Sequence, residues 1–320
     1  VTFAVAIENS GKGDSYETRI KDTMPAGFTV PGGGINLNVS DGTGSSVAYT
    51  SVGGGSGLFD QGIELTPAIN DGLSASGTNI IIITYDLQIA STAELNQTYT
   101  NDAQITKFTA KPAGVNYMNN QASYQDSADV TLASPTLTKV VTSTNNADTS
   151  GNNVAVGEEI TYTLTTTVPE GKLTGATLVD TMDACLAVTG FDSLTASSNV
   201  TATNGSFATI LGAVSVANVG GGASNNGRQF TLDFGDIANT NSSNGVDETI
   251  TLVYRAVAVN SSACARGNSR TNSATLTWDT ASTASVTSDP VIIQEPAVTT
   301  TKTFTVAGGD ADDPHQIGRA

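Results

Sequence analysis

Short runs in which apolar and polar positions alternate recur along the whole chain. VTFAV (Val1–Val5) alternates from its first residue, and TLTKVV (Thr136–Val141), EITYTL (Glu159–Leu164) and TNSATLTW (Thr271–Trp278) keep the same period of two. A period of two puts residues i and i+2 on one face of a strand. Thr and Val dominate these runs, as they do in half-buried strands. Between them lie Gly, Ser and Asn clusters such as VGGGSG (Val52–Gly57) and VGGGASNNG (Val219–Gly227). Short strands with such loops predict an all-β sandwich. The glycine clusters carry no Lys-Ser/Thr of a phosphate-binding loop and open no helix, so they read as hairpin loops.

The pattern is written twice. EEITYTL…ATLVDTM in the middle of the chain matches VTFAV…IKDTM at its start, with Ile160–Leu164 against Val1–Val5 and Asp180 against Asp22, 158 positions apart. IIIITYDLQIA (Ile80–Ala90) parallels ETITLVYRAVA (Glu248–Ala258), and YTNDAQITKF (Tyr99–Phe108) parallels RTNSATLTW (Arg270–Trp278). The opening strand of the central copy returns a third time in VTTTKTFTV (Val298–Val306), with Lys302 163 positions after Lys139. Such repetition predicts tandem β-sandwich domains: residues 1–133, lacking a first strand; residues 134–295, complete; and residues 296–320, the first strand or strands of a further repeat or a donor segment for a neighbouring subunit.

Composition narrows the function. A formal charge of −17 with 13 Lys and Arg among 320 residues argues against nucleic acid, whose phosphates require clustered cations, and against an anionic membrane surface. The longest wholly aliphatic run, Ile80–Ile83, falls far short of the ~20 residues that span a bilayer. One histidine, His315, and two cysteines, Cys185 and Cys264, leave most catalytic constellations and ordinary zinc sites without ligands. A turnover enzyme is therefore not expected.

TLTKVV, VAVGEEITYTLTTTVPEG, ATLVDTM and the closing TNSATLTW, taken in that order, resemble the Ig-like tandem repeats of prokaryotic surface proteins and the isopeptide-forming, pilin-like fimbrial domains. The resemblance spans nearly the whole chain as repeated modules, without a sortase signal or a pilin-type polymerisation motif. It implies that a first-strand Lys can join a last-strand Asn through an amide bond assisted by an acid. Lys139, Asn272 and Asp180 occupy those positions in the central copy. Asn101 and Asp22 occupy them in the first copy, where Lys302 is the matching lysine, reached across repeats or subunits.

Strand parity bears on this independently. Lys139 is in phase with Leu137 and Val141, Asp180 with Leu178, and Asn272 with Ala274, Leu276 and Trp278; Lys302 is in phase with Val298 and Phe304, Asp22 with Ile20, and Asn101 with Ala103 and Ile105. All six are expected to point inward, where an unpaired charge is costly. Burial lowers a Lys pKa and raises an Asp pKa, so a neutral amine could attack the amide carbon while the acid polarises its oxygen. The competing reading is an edge-strand Lys139 that blocks sheet aggregation, a turn-forming Asp180 and an ordinary hydrogen-bonding Asn272. Glu158 or Glu159 is an alternative acid.

Cys185 and Cys264 have counterparts near Gly27 and Glu94, so both are absent together from the first copy; a disulfide formed in an oxidising compartment is expected, against two buried thiols. GGDADDPHQ (Gly308–Gln316) and NGVDET (Asn244–Thr249) gather oxygen ligands suited to calcium, without a recognised calcium-loop spacing; solvated acidic loops are the other reading. Asn199 and Asn241 begin Asn-X-Ser/Thr sequences, common by chance in such a composition.

The expected function is mechanical: a repeat unit or subunit of an extracellular filament, fimbria-like appendage or surface stalk, with copies of itself as partners. A ligand-binding adhesin and a phage tail or decoration protein are the alternatives. HQIGRA (His315–Ala320) placed before VTFAV aligns without a gap to VAVGEEITYTL (Val154–Leu164), as two halves of one strand. Across that join Lys302 stands 40 positions before Asp22, 18 to the end of the chain and 22 beyond, against 41 from Lys139 to Asp180. The join is expected either as a peptide bond in a longer tandem chain or as strand addition between subunits, with Lys302 bonded to a neighbour's Asn101.

Overall fold

The computed structural model describes residues 1–303 except 56, 74–75, 119–123, 146–148, 218–226, 244–246, 261–263, 280 and 297. Most of VGGGASNNG, part of NGVDET, and all of GGDADDPHQ and HQIGRA lie outside the described residues. Strands are numbered along the chain. The alternation seen in the sequence becomes two β-sandwiches in tandem.

In the first sandwich one sheet has the order β1 (Thr2–Glu8), β7 (Ile80–Asp86), β4 (Asn38–Asp41). The facing sheet runs β10 (Gln125–Thr131), β9 (Thr98–Thr109), β2 (Tyr16–Thr23), β6 (Ile63–Leu65), β5 (Tyr49–Ser51), and a short pair joins β3 (Phe28–Thr29) to β8 (Gln88–Ile89). The VGGGSG loop joins β5 to its antiparallel partner β6, as a hairpin loop should.

The second sandwich has a four-stranded sheet, β11 (Thr136–Thr144), β13 (Glu159–Thr167), β19 (Thr249–Ala258), β15 (Leu186–Ala196). Opposite it stand β16 (Val200–Ala202), β18 (Gln229–Asn239), β14 (Gly171–Met182), β21 (Asn272–Trp278) and β22 (Ala281–Ser282), with β17 (Ser215–Ala217) beside β18 and β23 (Val286–Thr287) beside β21. A small third sheet, β12 (Asn153–Ala155), β24 (Val291–Gln294), β20 (Ser269–Arg270), contains the parallel pair β12 and β24. A short α-helix, Phe207–Gly212, is capped by the Ser206 hydroxyl, which accepts from the Thr209 amide.

Superposing the two patterns matches β1 to β13, β7 to β19, β2 to β14 and β9 to β21. β11 has no counterpart among the described residues of the first sandwich. β13 is flanked by β11 and β19, whereas β1 is flanked only by β7 and forms the edge of its sheet. Among the described residues no strand pairs with the outer side of β1. A further shared detail is a bulge. Gly175 in β14 has φ 65°, and its counterpart Glu17 in β2 holds φ 50°, with its carboxylate 2.6 Å from Lys107 Nζ and accepting from the Ala113 amide at 2.8 Å. A residue in this strained region is held by its neighbours.

The sandwiches meet at one exchange of backbone bonds: Leu95 N donates to Lys172 O at 2.9 Å and Lys172 N to Ala93 O at 2.7 Å. Glu94 Oε1 accepts from Lys172 Nζ at 3.0 Å and from Thr174 Oγ1 at 2.7 Å, bracing the same junction.

One expectation changes. Val154–Leu164 is not one strand: β12 ends at Ala155 and β13 starts at Glu159, with a turn through Gly157 at φ 88° between them. The counterpart of the HQIGRA–VTFAV join is therefore the entry of β13 from a turn, not the middle of a strand. Residues 298–303 lie outside the strands of this chain, and Lys302 is exposed.

Cys185 and Cys264 are joined in a disulfide closing a loop of 79 residues, with both residues buried. At the matching place in the first sandwich the Tyr99 ring fills the space a Cβ on Gly27 would enter, and its hydroxyl accepts from the Glu94 amide at 2.7 Å. One copy uses a covalent tie where the other uses a tyrosine. Closing so long a loop restricts the unfolded chain. Reduction is expected to lower the stability of the second sandwich by about 2–4 kcal/mol and leave the first unchanged; denaturant melts with and without reductant, read by a probe in each half, check this.

Candidate functional site

Lys139 on β11, Asp180 on β14 and Asn272 on β21 are carried into the core by the alternation of their strands. In β11 Leu137 and Lys139 are buried while Thr136, Thr138 and Val140 are exposed. In β21 Asn272, Ala274, Leu276 and Trp278 are buried. Lys139 is 5% exposed, and Asp180 and Asn272 are fully buried. Lys139 stands on the edge strand of its sheet, as the competing reading has it, but points inward; Asp180 lies within β14 rather than at a turn; and Asn272 makes a side-chain hydrogen bond inside the core.

The three converge from both sheets. Lys139 Nζ donates to Asp180 Oδ2 in a very short contact, with both side chains sealed from solvent. The Lys139 ammonium also lies 5.6 Å and 5.5 Å from the ring centres of Tyr162 and Tyr254, which stack on each other at 5.5 Å. Asn272 reaches the group through a residue that the sequence reading did not single out. Its Nδ2 donates to Tyr254 Oη at 2.7 Å, and that hydroxyl donates to Asp180 Oδ2 at 2.8 Å.

Burial governs the electrostatics. It pushes the Lys139 amine down to about 8, against the pull of Asp180, and raises the Asp180 carboxyl despite Lys139, Tyr254 and Asn272. Both shifts favour the neutral amine and the neutral acid. The phenol of Tyr254 is raised far above its ordinary range, by burial first and by Asp180 second, so it stays protonated. Asp180 Oδ1 and Asn272 Oδ1 have no hydrogen-bond partner, although each such buried oxygen costs about 1–3 kcal/mol.

Glu158 and Glu159 stand elsewhere. Glu158 accepts from Thr149 Oγ1 and from the Ala155 amide at the turn between β12 and β13, and Glu159 pairs with Arg255. The acid beside the lysine is Asp180.

The first sandwich repeats the cluster without a lysine. Asp22 and Asn101 are buried; Tyr85 Oη donates to Asp22 Oδ2 at 2.6 Å; Asn101 Nδ2 donates to Tyr85 Oη at 2.7 Å and to Asp22 Oδ2 at 3.2 Å. Asp22 is raised by burial, and Asp22 Oδ1 and Asn101 Oδ1 are unpartnered, as in the second sandwich. Phe3 stacks on Tyr85 at 5.6 Å in the place of Tyr162 on Tyr254. Lys302 is not brought to this group within the chain.

The sheet register explains why the tyrosines escaped notice. Phe3 lies opposite Tyr85, and Tyr162 opposite Tyr254. Tyr85 therefore matches Tyr254, one position on from the Val253 that the pairing of Ile80–Ala90 with Glu248–Ala258 puts against it. An inward-facing Asp and Asn in one sheet and an inward-facing Tyr in the opposite sheet were the available signal.

Among the described residues no group of three or more His, Cys, Asp or Glu could hold a metal. In NGVDET, Glu248 is buried and accepts from Asn239 Nδ2 and Asn241 Nδ2. No described helix is long and apolar enough to cross a membrane.

No protein-family description and no curated protein sequence matches the chain. Among solved structures it is similar to the C-terminal domain of the Streptococcus agalactiae AgI/II polypeptide BspA, at 14% identity and TM-score 0.34 over 90% of this chain and 93% of that one. It is also similar to BcpA, the major pilin subunit of Bacillus cereus, at 10% identity and TM-score 0.31 over 92% and 69%. The pilus backbone RrgB of Streptococcus pneumoniae overlaps 46% of this chain and 31% of its own, at 17% identity and TM-score 0.28. Overlaps this loose assign no ligand or activity to the chain.

The lowered Lys139 pKa fixes a pH dependence for any form in which the amine is free. A base whose folded pKa lies below its unfolded value of about 10.4 binds fewer protons when folded between the two. Stability therefore rises with pH in that window. Asn272→Ala is expected to gain stability between about pH 8 and 10.4 relative to Lys139→Met/Asn272→Ala, measured by urea melts at each pH.

Proposed function

We propose that the chain is a structural subunit or repeat unit of an extracellular filament, fimbria-like appendage or surface stalk, stiffened by Lys-Asn isopeptide bonds. The observation that carries this is the sealed cluster of Lys139, Asp180 and Asn272, which couples the first strand of the second sandwich to its closing strands. The reaction joins the neutral Lys139 amine to the Asn272 side-chain carbon; the amide nitrogen leaves as ammonia, taking the proton lost by the amine. Asp180 assists by hydrogen bonding to the carbonyl oxygen. Proximity in a packed, water-free core supplies the rate. Such a bond carries tension past the hydrogen bonds of the sheets.

The first sandwich supports the same reading across copies. Its Asp22, Asn101 and Tyr85 are assembled, its lysine seat is empty of any lysine from its own chain, and β1 offers the edge that β11 covers in the second sandwich. Residues 296–320 of a preceding repeat or subunit supply the missing strand by strand addition, with Lys302 bonded to Asn101. In β11 Lys139 lies opposite Leu164 of β13, whose counterpart in β1 is Val5. An incoming Lys302 beside Val5 thus has the position of Lys139. Such an assembly places the protein outside the cell, where its disulfide persists.

A second reading, a binding module, rests on one groove. Loop aromatics are scarce in the sequence, yet Phe108 stacks with Tyr117 and meets Tyr124 edge-on at 5.3 Å, and all three line a cavity of about 530 Å³ with Ile7, Asn9 and Ile69. Aromatic faces and a few polar groups suit a carbohydrate or peptide ligand.

Intact mass under reducing conditions tests the first reading: the protein is expected to lack one ammonia, and Lys139→Ala or Asn272→Ala to regain it. A full unmodified mass overturns the internal bond. Denaturing electrophoresis of concentrated protein is expected to show a ladder that Lys302→Ala abolishes; a Lys302→Ala ladder equal to that of the parent protein excludes the bond to Asn101.

A further inference from the structure

We infer that Tyr254 is a catalytic proton relay for the isopeptide bond, and that Tyr85 holds the same place in the first sandwich. This rests on the bond-forming reading above and adds a residue and a route to it. The Tyr254 hydroxyl touches the leaving nitrogen of Asn272 at 2.7 Å and the Asp180 oxygen that faces Lys139 at 2.8 Å. Lys139 Nζ has its hydrogen bond to that same Asp180 Oδ2. The order in space is therefore attacking nitrogen, carboxyl oxygen, phenol oxygen, leaving nitrogen.

That order answers a difficulty in the reaction. When the Lys139 amine adds to the Asn272 carbon, the attacking nitrogen must lose a proton and the departing one must gain one. Asp180 enters as the neutral acid. It gives its Oδ1 proton to the Asn272 carbonyl oxygen as the amine adds, takes the first proton from Lys139 on Oδ2, and recovers the Oδ1 proton when the carbonyl re-forms. The phenol rotor then turns, Asp180 gives a proton to the Tyr254 oxygen, and Tyr254 gives its own to Asn272 Nδ2, which leaves as ammonia. Lys139 keeps one hydrogen on the new amide nitrogen, Asp180 and Tyr254 end as they began, and no outside reactant enters. A buried phenol suits this because it both donates and accepts without ionising.

The first sandwich carries the same three groups in the same order. Tyr85 bridges Asp22 and Asn101 at 2.6 and 2.7 Å with no lysine present, so the bridge belongs to the Asp-Asn site and is not a response to the lysine. Both tyrosines are clamped by rings: Tyr254 by Tyr162 and Phe230, Tyr85 by Phe3 and Phe59. The clamp holds each hydroxyl on its two partners.

The test is a time course of intact reduced mass during cell-free synthesis of the full chain. The parent protein is expected to lose one ammonia as it folds. Tyr254→Phe is expected to lose it slower by on the order of a hundredfold or more, the range for a missing general acid or base. A ring-difluorinated tyrosine at 254 keeps the hydroxyl and the packing while lowering the phenol pKa. It is expected to restore the reaction, at a rate that differs from the parent's at the same pH because the acidity of the relaying hydroxyl has changed. A Tyr254→Phe rate equal to that of the parent overturns the relay and leaves the bond standing. If Tyr254→Phe does not fold, the fluorinated protein decides alone: a rate equal to that of the parent overturns the relay. A parent protein that never loses ammonia overturns both the bond and the relay.

Discussion

The second sandwich is organised around one costly arrangement, an amine and a carboxyl group placed together where no water reaches them. Lys139 and Asp180 each lose hydration, and an ion pair in such a place returns at best part of that loss. Everything around them reduces the cost in a definite way. The pair is pushed toward its neutral forms; the faces of Tyr162 and Tyr254 take the amine; the Tyr254 hydroxyl takes the carboxyl. Two oxygens, Asp180 Oδ1 and Asn272 Oδ1, still lack partners. A core that only needed stability would have apolar side chains here. The proposed condensation would remove the amine, and with it the penalty of burying one.

The first sandwich shows the same arrangement with one part withheld. Asp22, Tyr85 and Asn101 stand ready, and β1 is bare along one edge. An open edge and an unpartnered amide oxygen are both unfavourable in isolation. In the proposed assembly a single incoming strand bearing a lysine would relieve both, and the two sandwiches would differ less in chemistry than in where the first strand comes from.

Outside the two clusters the copies diverge freely, because other contacts do the same mechanical work. A disulfide in one stands where Tyr99 reaches the Glu94 backbone in the other. A glycine bulge in one stands where Glu17 is held in a left-handed conformation by Lys107 in the other. The short exchange between Leu95, Ala93 and Lys172 then couples the two bodies.

Much of this was legible in the residues. Alternation set the faces of β11, β14 and β21, so the inward direction of Lys139, Asp180 and Asn272 followed from parity alone, and the repeat located Asp22 and Asn101. The paired absence of two cysteines pointed to their union. Other features were not legible because they depend on sheet register, which alternation leaves free by whole steps of two and which bulges shift by one. Tyr85 and Tyr254 fall into correspondence only when Phe3 and Tyr162 are set opposite them. The turn at Gly157 divides what reads as one strand, since a run of apolar residues does not reveal a positive φ. Lys302 has the right neighbours in sequence but stands exposed, outside the strands of its own chain. Sequence determined which residues can share a face, because side-chain direction is local; tertiary structure decided which faces meet, because that depends on strands brought together from distant parts of the chain.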